Sequence, residues 1–156
     1  MKKYLLIFFI SMVPLIELRG AIPIALGMDI PAMEAILVCV LGNILPVPFI
    51  YLFARKVLLW GAKRRFIGRF CNFFVVKGER AGQKLVAKTG RGGLAVALML
   101  FVGIPLPGTG AWTGTLAASF LNMGFRATTL SVSLGVVIAG FIMGIVSMTG
   151  VHVFGL

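Results

Sequence analysis

Apolar positions along the chain gather into four blocks, at 5–28, 31–54, 94–124 and 127–154, with a polar, basic stretch at 55–93 between the second and third. The second block, "PAMEAILVCVLGNILPVPFIYLFA", and the fourth, "ATTLSVSLGVVIAGFIMGIVSMTGVHVF", are each long enough to span a hydrocarbon layer of ~30 Å, which takes about 20 helical residues. The first and third are interrupted at their centres. Pro14, Gly20 and Pro23 break the first, and Pro105, Pro107, Gly108, Gly110 and Gly114 break the third. Proline removes a backbone donor and glycine permits a turn, while an apolar limb of about a dozen residues covers only ~18 Å. These two blocks are therefore predicted to be re-entrant helical hairpins, each dipping into the membrane and returning on its own side. Non-helical backbone at such depth survives only against protein or a water-filled cavity.

Composition narrows the class. The chain has 156 residues, 60% of them hydrophobic and 12% charged, and its mean hydropathy is +1.07. Soluble domains are about half apolar, so a single integral membrane domain over 1–156 is expected. "MKKYLLIFFISMVPLI" imitates a signal peptide, but "ELRGAIP" follows in place of a small-residue cleavage site, so it is read as the first membrane element. Of the 15 basic residues, eleven lie between Arg55 and Arg91. Charge concentrated in one connection marks it as cytoplasmic. It carries no nucleic-acid reading motif, so no nucleic-acid partner is expected. Its aromatic and basic mixture, "VLLWGAKRRFIGRFCNFFV", suits a helix lying in the membrane interface. With 55–93 inside, Asp29 and Glu34 lie outside, and the hairpin-plus-helix halves run in opposite directions. Lys2 and Lys3 fall outside, against the trend. The expected fold is all-α: two inverted repeats, each a re-entrant hairpin followed by a transmembrane helix.

Candidate chemistry lies at the hairpin centres. "PLIELRGAIPIALG" places Glu17 and Arg19 two positions apart in apolar sequence. Ionisable residues there are functional candidates by default. On one helix face neighbours come at three or four, so these two do not stack, but on a turn they can share a cavity. Arg19 offers a planar donor fork for phosphate or carboxylate. Glu17 is the candidate proton carrier, with a structural ion pair as the alternative. The second centre, "PLPGTGAWTG", offers Thr109, Gly110, Thr113 and a series of backbone amides beside Trp112, an anion-receptive arrangement. Asn43 is a polar residue in a spanning segment that can face the hairpins. Gly42, Gly135, Gly140 and Gly144 allow close helix approach. Cys39 and Cys71 show no metal or disulfide spacing, and His152 is a lone terminal histidine. No metal site, cofactor or enzymatic constellation is expected.

"PLIELRGAIPIALG", "GNILPVPF" and "PLPGTGAWTG" resemble the signature of the small multidrug export protein family over nearly the whole chain. That family is similar in turn to the DedA (SNARE-associated, VTT-like) membrane proteins, whose fold pairs two re-entrant hairpins from opposite faces. The resemblance implies a proton-coupled transporter of undecaprenyl phosphate or another phospholipid, with Arg19 and Glu17 at the functional positions. The second centre departs from that pattern in having no acid or arginine. The resulting expectation is a bacterial or archaeal inner-membrane, multi-pass transporter. Substrate would be held by Arg19, Asn43, Thr109, Gly110, Trp112 and Thr113, protons carried by Glu17, and the hairpins shaped by Pro14, Gly20, Pro23, Pro105, Pro107 and Gly108. Its partners are membrane lipids, and a homodimer is the expected assembly. The alternatives are export of hydrophobic cations with Glu17 as counter-ion, and a membrane structural or assembly factor without transport.

Overall fold

Pro14 cannot donate a backbone bond, and the first apolar block breaks there, with Val13 N–H closing back on Ile10 O at 3.1 Å. The computed structural model describes residues 2–14, 16–63, 68–106 and 108–154, so the expected role of Pro107 lies outside the described residues. The chain is all-helical there, in the order α1 (Lys2–Met12), α2 (Glu17–Gly27), α3 (Ala32–Ile44), α4 (Val47–Ala62), α5 (Gly68–Gly103), α6 (Ala111–Phe120) and α7 (Phe125–Phe154). No strand occurs among the described residues.

Helices α1 and α2 fold back on each other, as Lys3 Nζ at the start of α1 donates to Met28 O just beyond α2 at 2.9 Å. Val13, Pro14 and Ile16 lie in the turn, earlier than a Gly20-centred one, and α2 runs unbroken through Gly20 and Pro23. Proline inside a helix costs one bond, here the one from residue 23 to Arg19 O, but does not reverse the chain. Reversal comes from Glu17, whose backbone is left-handed (φ 48). For a residue with a side chain that costs roughly 1–2 kcal/mol.

Three helical stretches, Ala32–Val57, Arg80–Gly103 and Phe125–Gly150, are long and apolar enough to cross a membrane. The first joins α3 and α4 through a proline kink, with Leu45 still helical and bonded to Leu41 O at 3.1 Å. The second is interrupted at Gly90, whose φ of 72 and ψ of 169 leave the helix. Residues 91–103 beyond it form about 20 Å of helix. The basic stretch 55–93 is thus divided between the end of α4 and the first part of α5, and the break lies at Gly90 rather than at 93.

Glycines set the depth at which the hairpins meet the long helices. Gly42 of α3 packs against Ser11 and Phe8 O of α1, and Gly135 of α7 packs against Met99 O and Val102 of α5. Gly140 and Gly144 of α7 lie against Val40 and Ile36 of α3, so these two helices run antiparallel. The turns after α2 and α6 share one bonding pattern at a constant interval along the chain. Ile30 N–H bonds Ala25 O at 3.1 Å, as Met123 N–H bonds Ala118 O at 3.0 Å. Asp29 and Asn122 occupy the same left-handed position at φ 59 and 56.

A Cβ at Gly135 would lie 2.6 Å from Met99 O and 2.8 Å from Val102 Cβ, neither of which can swing away. Gly135→Ala is expected to cost about 1–3 kcal/mol as an overpacking change. Thermal unfolding in detergent should show a lowered midpoint for it and none for Gly27→Ala, where nothing lies within 4 Å.

Candidate functional site

The α1–α2 and α5–α6 breaks meet each other, and the two charged residues of the first are spent on the backbone of the second. A helix start leaves unpaired N–H groups and a helix end leaves unpaired C=O groups. Helix α6 starts at Ala111 with no side-chain cap of its own. Glu17 supplies one from 94 residues away: Oε2 accepts from Ala111 N–H at 3.3 Å and Oε1 from Trp112 N–H at 3.0 Å. Arg19 does the reverse for the end of α5. Its Nη1 donates to Leu106 O, and its Nη2 donates to Thr109 Oγ1 at 2.6 Å and reaches Ile104 O at 3.5 Å. Thr109 Oγ1 also lies 2.9 Å from both Ile104 O and Leu106 O. Negative charge thus sits on the positive end of one helix, and positive charge on the negative end of another.

The favour is returned. Trp112 Nε1 donates to Met12 O, the last carbonyl of α1, at 3.0 Å. Glu17 and Arg19 form no ion pair with each other among the described residues, so neither is a simple partner of the other. Glu17 is 5% exposed, and each of its two bonds, being to a charged acceptor, is worth about 1.5–3 kcal/mol. Those bonds offset its left-handed backbone.

Gly110 is placed by the same contact. Its φ of 146 and its extended ψ belong to glycine, and a Cβ there would overlap the Glu17 carboxylate. Gly108 is also left-handed, at φ 81, and exposed, and Pro105 lies between α5 and that turn. Asn43 is 1% exposed and its Oδ1 has no hydrogen-bond partner. It faces a void shared with Glu17, Arg19, Gly110, Val136 and Ala139 that is too small for a water molecule. Of the expected substrate residues, Arg19, Asn43, Thr109, Gly110 and Trp112 come together here. Thr113 does not: it is exposed, with its hydroxyl 3.4 Å from Gly110 O.

Two further features were not visible in the sequence. Along α4 and α6 lies an apolar groove of about 820 Å³, lined by Pro46, Phe49, Phe53, Leu116 and Phe120, with Trp112 at one end and Lys56 at the other. Beyond it, Tyr51 OH bonds Met123 O and Arg55 Nη1 bonds Asn122 Oδ1, tying α4 to the α6–α7 turn. The pairing of Tyr51 and Arg55 one turn apart on α4 is the only sequence signal for that tie.

Removing the Glu17 carboxylate leaves the buried Ala111 N–H and the part-buried Trp112 N–H without acceptors. Glu17→Ala is expected to cost at least about 2 kcal/mol, and Glu17→Gln less, because its amide oxygen can still accept. Gly110→Ala should resemble Glu17→Ala by displacing the same carboxylate. Detergent melting curves of the three variants check the order.

Residues 17–142 match the family described as "Putative small multi-drug export protein". No curated protein and no solved structure matches the chain.

Proposed function

Because the chain belongs to the small multi-drug export family and has three helices fit to cross a membrane, we propose that it is a proton-coupled membrane transporter whose cargo is an amphiphile with an anionic, phosphate-like head. The general reading, a membrane protein with a transporter-like role, follows from the family and the helices. The mechanism rests on one observation: the Glu17 carboxylate occupies the N–H groups at the start of α6.

That carboxylate acts as a tethered stand-in for cargo. The start of α6, with the Arg19 guanidinium lining the same small void, forms an anion site, and ionised Glu17 occupies its N–H groups. Protonation makes Glu17 neutral and turns one of its oxygens into a donor. The hydroxyl can then turn to Asn43 Oδ1, the buried acceptor that lacks a partner while the carboxylate is on the α6 start. The α6 start and Arg19 are left with uncompensated positive charge, which a phosphate head neutralises. The tail lies in the apolar groove, which begins at Trp112, whose N–H Glu17 has just released. Proton and anion thus enter together, and deprotonation of Glu17 expels the head.

Placement in the membrane has its own support. The α1–α2 turn packs near Gly42 in the middle of Ala32–Val57, and the α5–α6 turn follows Gly103, which lies against Gly135 and Ile138 in the middle of Phe125–Gly150. Both tips then sit near the midplane as re-entrant hairpins. The matching turns after α2 and α6 and the antiparallel α3 and α7 support inverted halves, a common transporter plan with its site at the repeat interface. The basic residues from Arg55 to Arg91 support a cytoplasmic side for that end. Export of a hydrophobic cation is the second reading, favoured by the family description. Arg19 beside Glu17 opposes it, since a cation arriving at Glu17 meets a guanidinium.

Proteoliposomes loaded with a fluorescent prenyl phosphate or with tetraphenylphosphonium separate the readings. Prenyl phosphate transfer should rise with acidity, lose its pH dependence in Glu17→Gln, and fall about tenfold in Arg19→Lys, which keeps charge but not the bidentate fork. Movement of tetraphenylphosphonium alone would establish the cation reading. Transfer of neither by a well-folded protein would leave a structural role.

A further inference from the structure

A second cavity, of about 700 Å³, lies around the α6–α7 turn, away from the hairpin tips. Residues 121–127 form one wall, and Val86, Arg91 and Leu94 of α5 form the other. Arg91 directly follows the Gly90 break, and Arg126 stands in the first turn of α7. Both are exposed side chains opening on one cavity, and neither has a hydrogen-bond or ion-pair partner among the described residues. No lining residue carries a carboxylate. Arg55, bonded to Asn122, and Lys56, at the end of the apolar groove, come to the same level from α4. Apart from the arginines and Asn122, the lining is apolar: Val86, Leu94, Leu121, Met123 and Phe125.

The matching turn after α2 shows what the fold itself requires. It makes the same backbone bonds and the same left-handed residue with Asp29 where this turn has Asn122. Met33 stands where this turn has Arg126. At the α2–α3 turn a base, Lys3, bonds the Met28 carbonyl from α1, but none stands at the helix position that Arg126 occupies, so Arg126 is not needed to fold this kind of turn. Charge of this kind, concentrated on a half-apolar cavity between helices at the basic end, is how lipid head groups are held.

We propose that Arg91 and Arg126 form a binding site for a phosphate group, presented by an anionic glycerophospholipid whose glycerol and upper acyl carbons rest on Leu94, Leu121 and Phe125. This site is separate from Glu17 and Arg19 and stands whether or not the transport reading does. A phosphate bridging the two arginines ties α5 beyond its Gly90 break to the first turn of α7.

Delipidated, detergent-purified protein incubated with phosphatidylglycerol or phosphatidylcholine, with bound lipid counted by native mass spectrometry, tests the site. The wild type should retain phosphatidylglycerol preferentially, and Arg91→Gln/Arg126→Met should reduce that preference on the order of tenfold. Lys84→Gln/Lys88→Gln removes the same charge from exposed positions of α5 outside the cavity and should leave the preference intact. Displacement of bound lipid by millimolar inorganic phosphate supports the site with a free anion as its ligand. A lipid preference that phosphate does not disturb supports it with the head group as its ligand. Equal loss in both double variants shows general attraction to basic charge and overturns the site, as does a preference unchanged in Arg91→Gln/Arg126→Met. Arg126→Met alone, placing at that turn the residue found in its counterpart, keeps the fold in case the double variant fails to purify.

Discussion

A helix that stops inside an apolar protein exposes N–H groups at one end and C=O groups at the other, and each one left unpaired away from water costs several kcal/mol. Among the described residues two such breaks, after α1 and after α5, are solved jointly. Glu17 takes the N–H groups of α6, Arg19 takes the C=O groups that follow α5, and Trp112 takes the last C=O of α1. The remaining packing follows from bringing the two turns together. Gly42 and Gly135 let the long helices close on the hairpins, and Gly140 with Gly144 lets α3 and α7 close on each other. A charge inside a membrane protein is usually met by a charge. Here each is met by helix ends, which leaves the two residues available for separate roles.

Much of the architecture was legible because proline and glycine act locally. The clusters around Pro14 and from Pro105 to Gly114 announce interruptions without reference to anything distant. The break inside α5 was harder, since Gly90 is one of several glycines in "TGRGG" and only its backbone angles single it out. The turn of the first hairpin was placed late for a related reason. Gly20 looks permissive and Pro23 looks disruptive, yet the reversal falls on Glu17, a residue whose left-handed backbone no propensity favours.

The site was half legible. That Glu17, Arg19, Asn43, Thr109, Gly110 and Trp112 belong together could be read from polar residues in apolar surroundings. What they touch could not. Arg19 bonds to main-chain oxygens, and any residue could have supplied those, so Ile104 and Leu106 carry no mark of their role. Thr113 looked equivalent to Thr109, but Thr109 lies in the turn before α6, where Arg19 reaches it, and Thr113 lies on an exposed position of α6 itself. The groove between α4 and α6 is made by helix packing, and its phenylalanines read in sequence as ordinary lipid-facing residues.

The distance along the chain between the two tips has a consequence for how the protein is made. Arg19 and its partner Leu106 are 87 residues apart, and Glu17 and Trp112 are 95 apart. At a synthesis rate of about 5–20 residues per second, the first hairpin emerges roughly 5–20 s before its partners exist. Through that interval the backbone groups that its carboxylate and guanidinium bond in the finished fold do not yet exist. The first hairpin therefore completes its hydrogen bonds only when the second has been made. Assembly of this protein ends at the end of the chain that was made first.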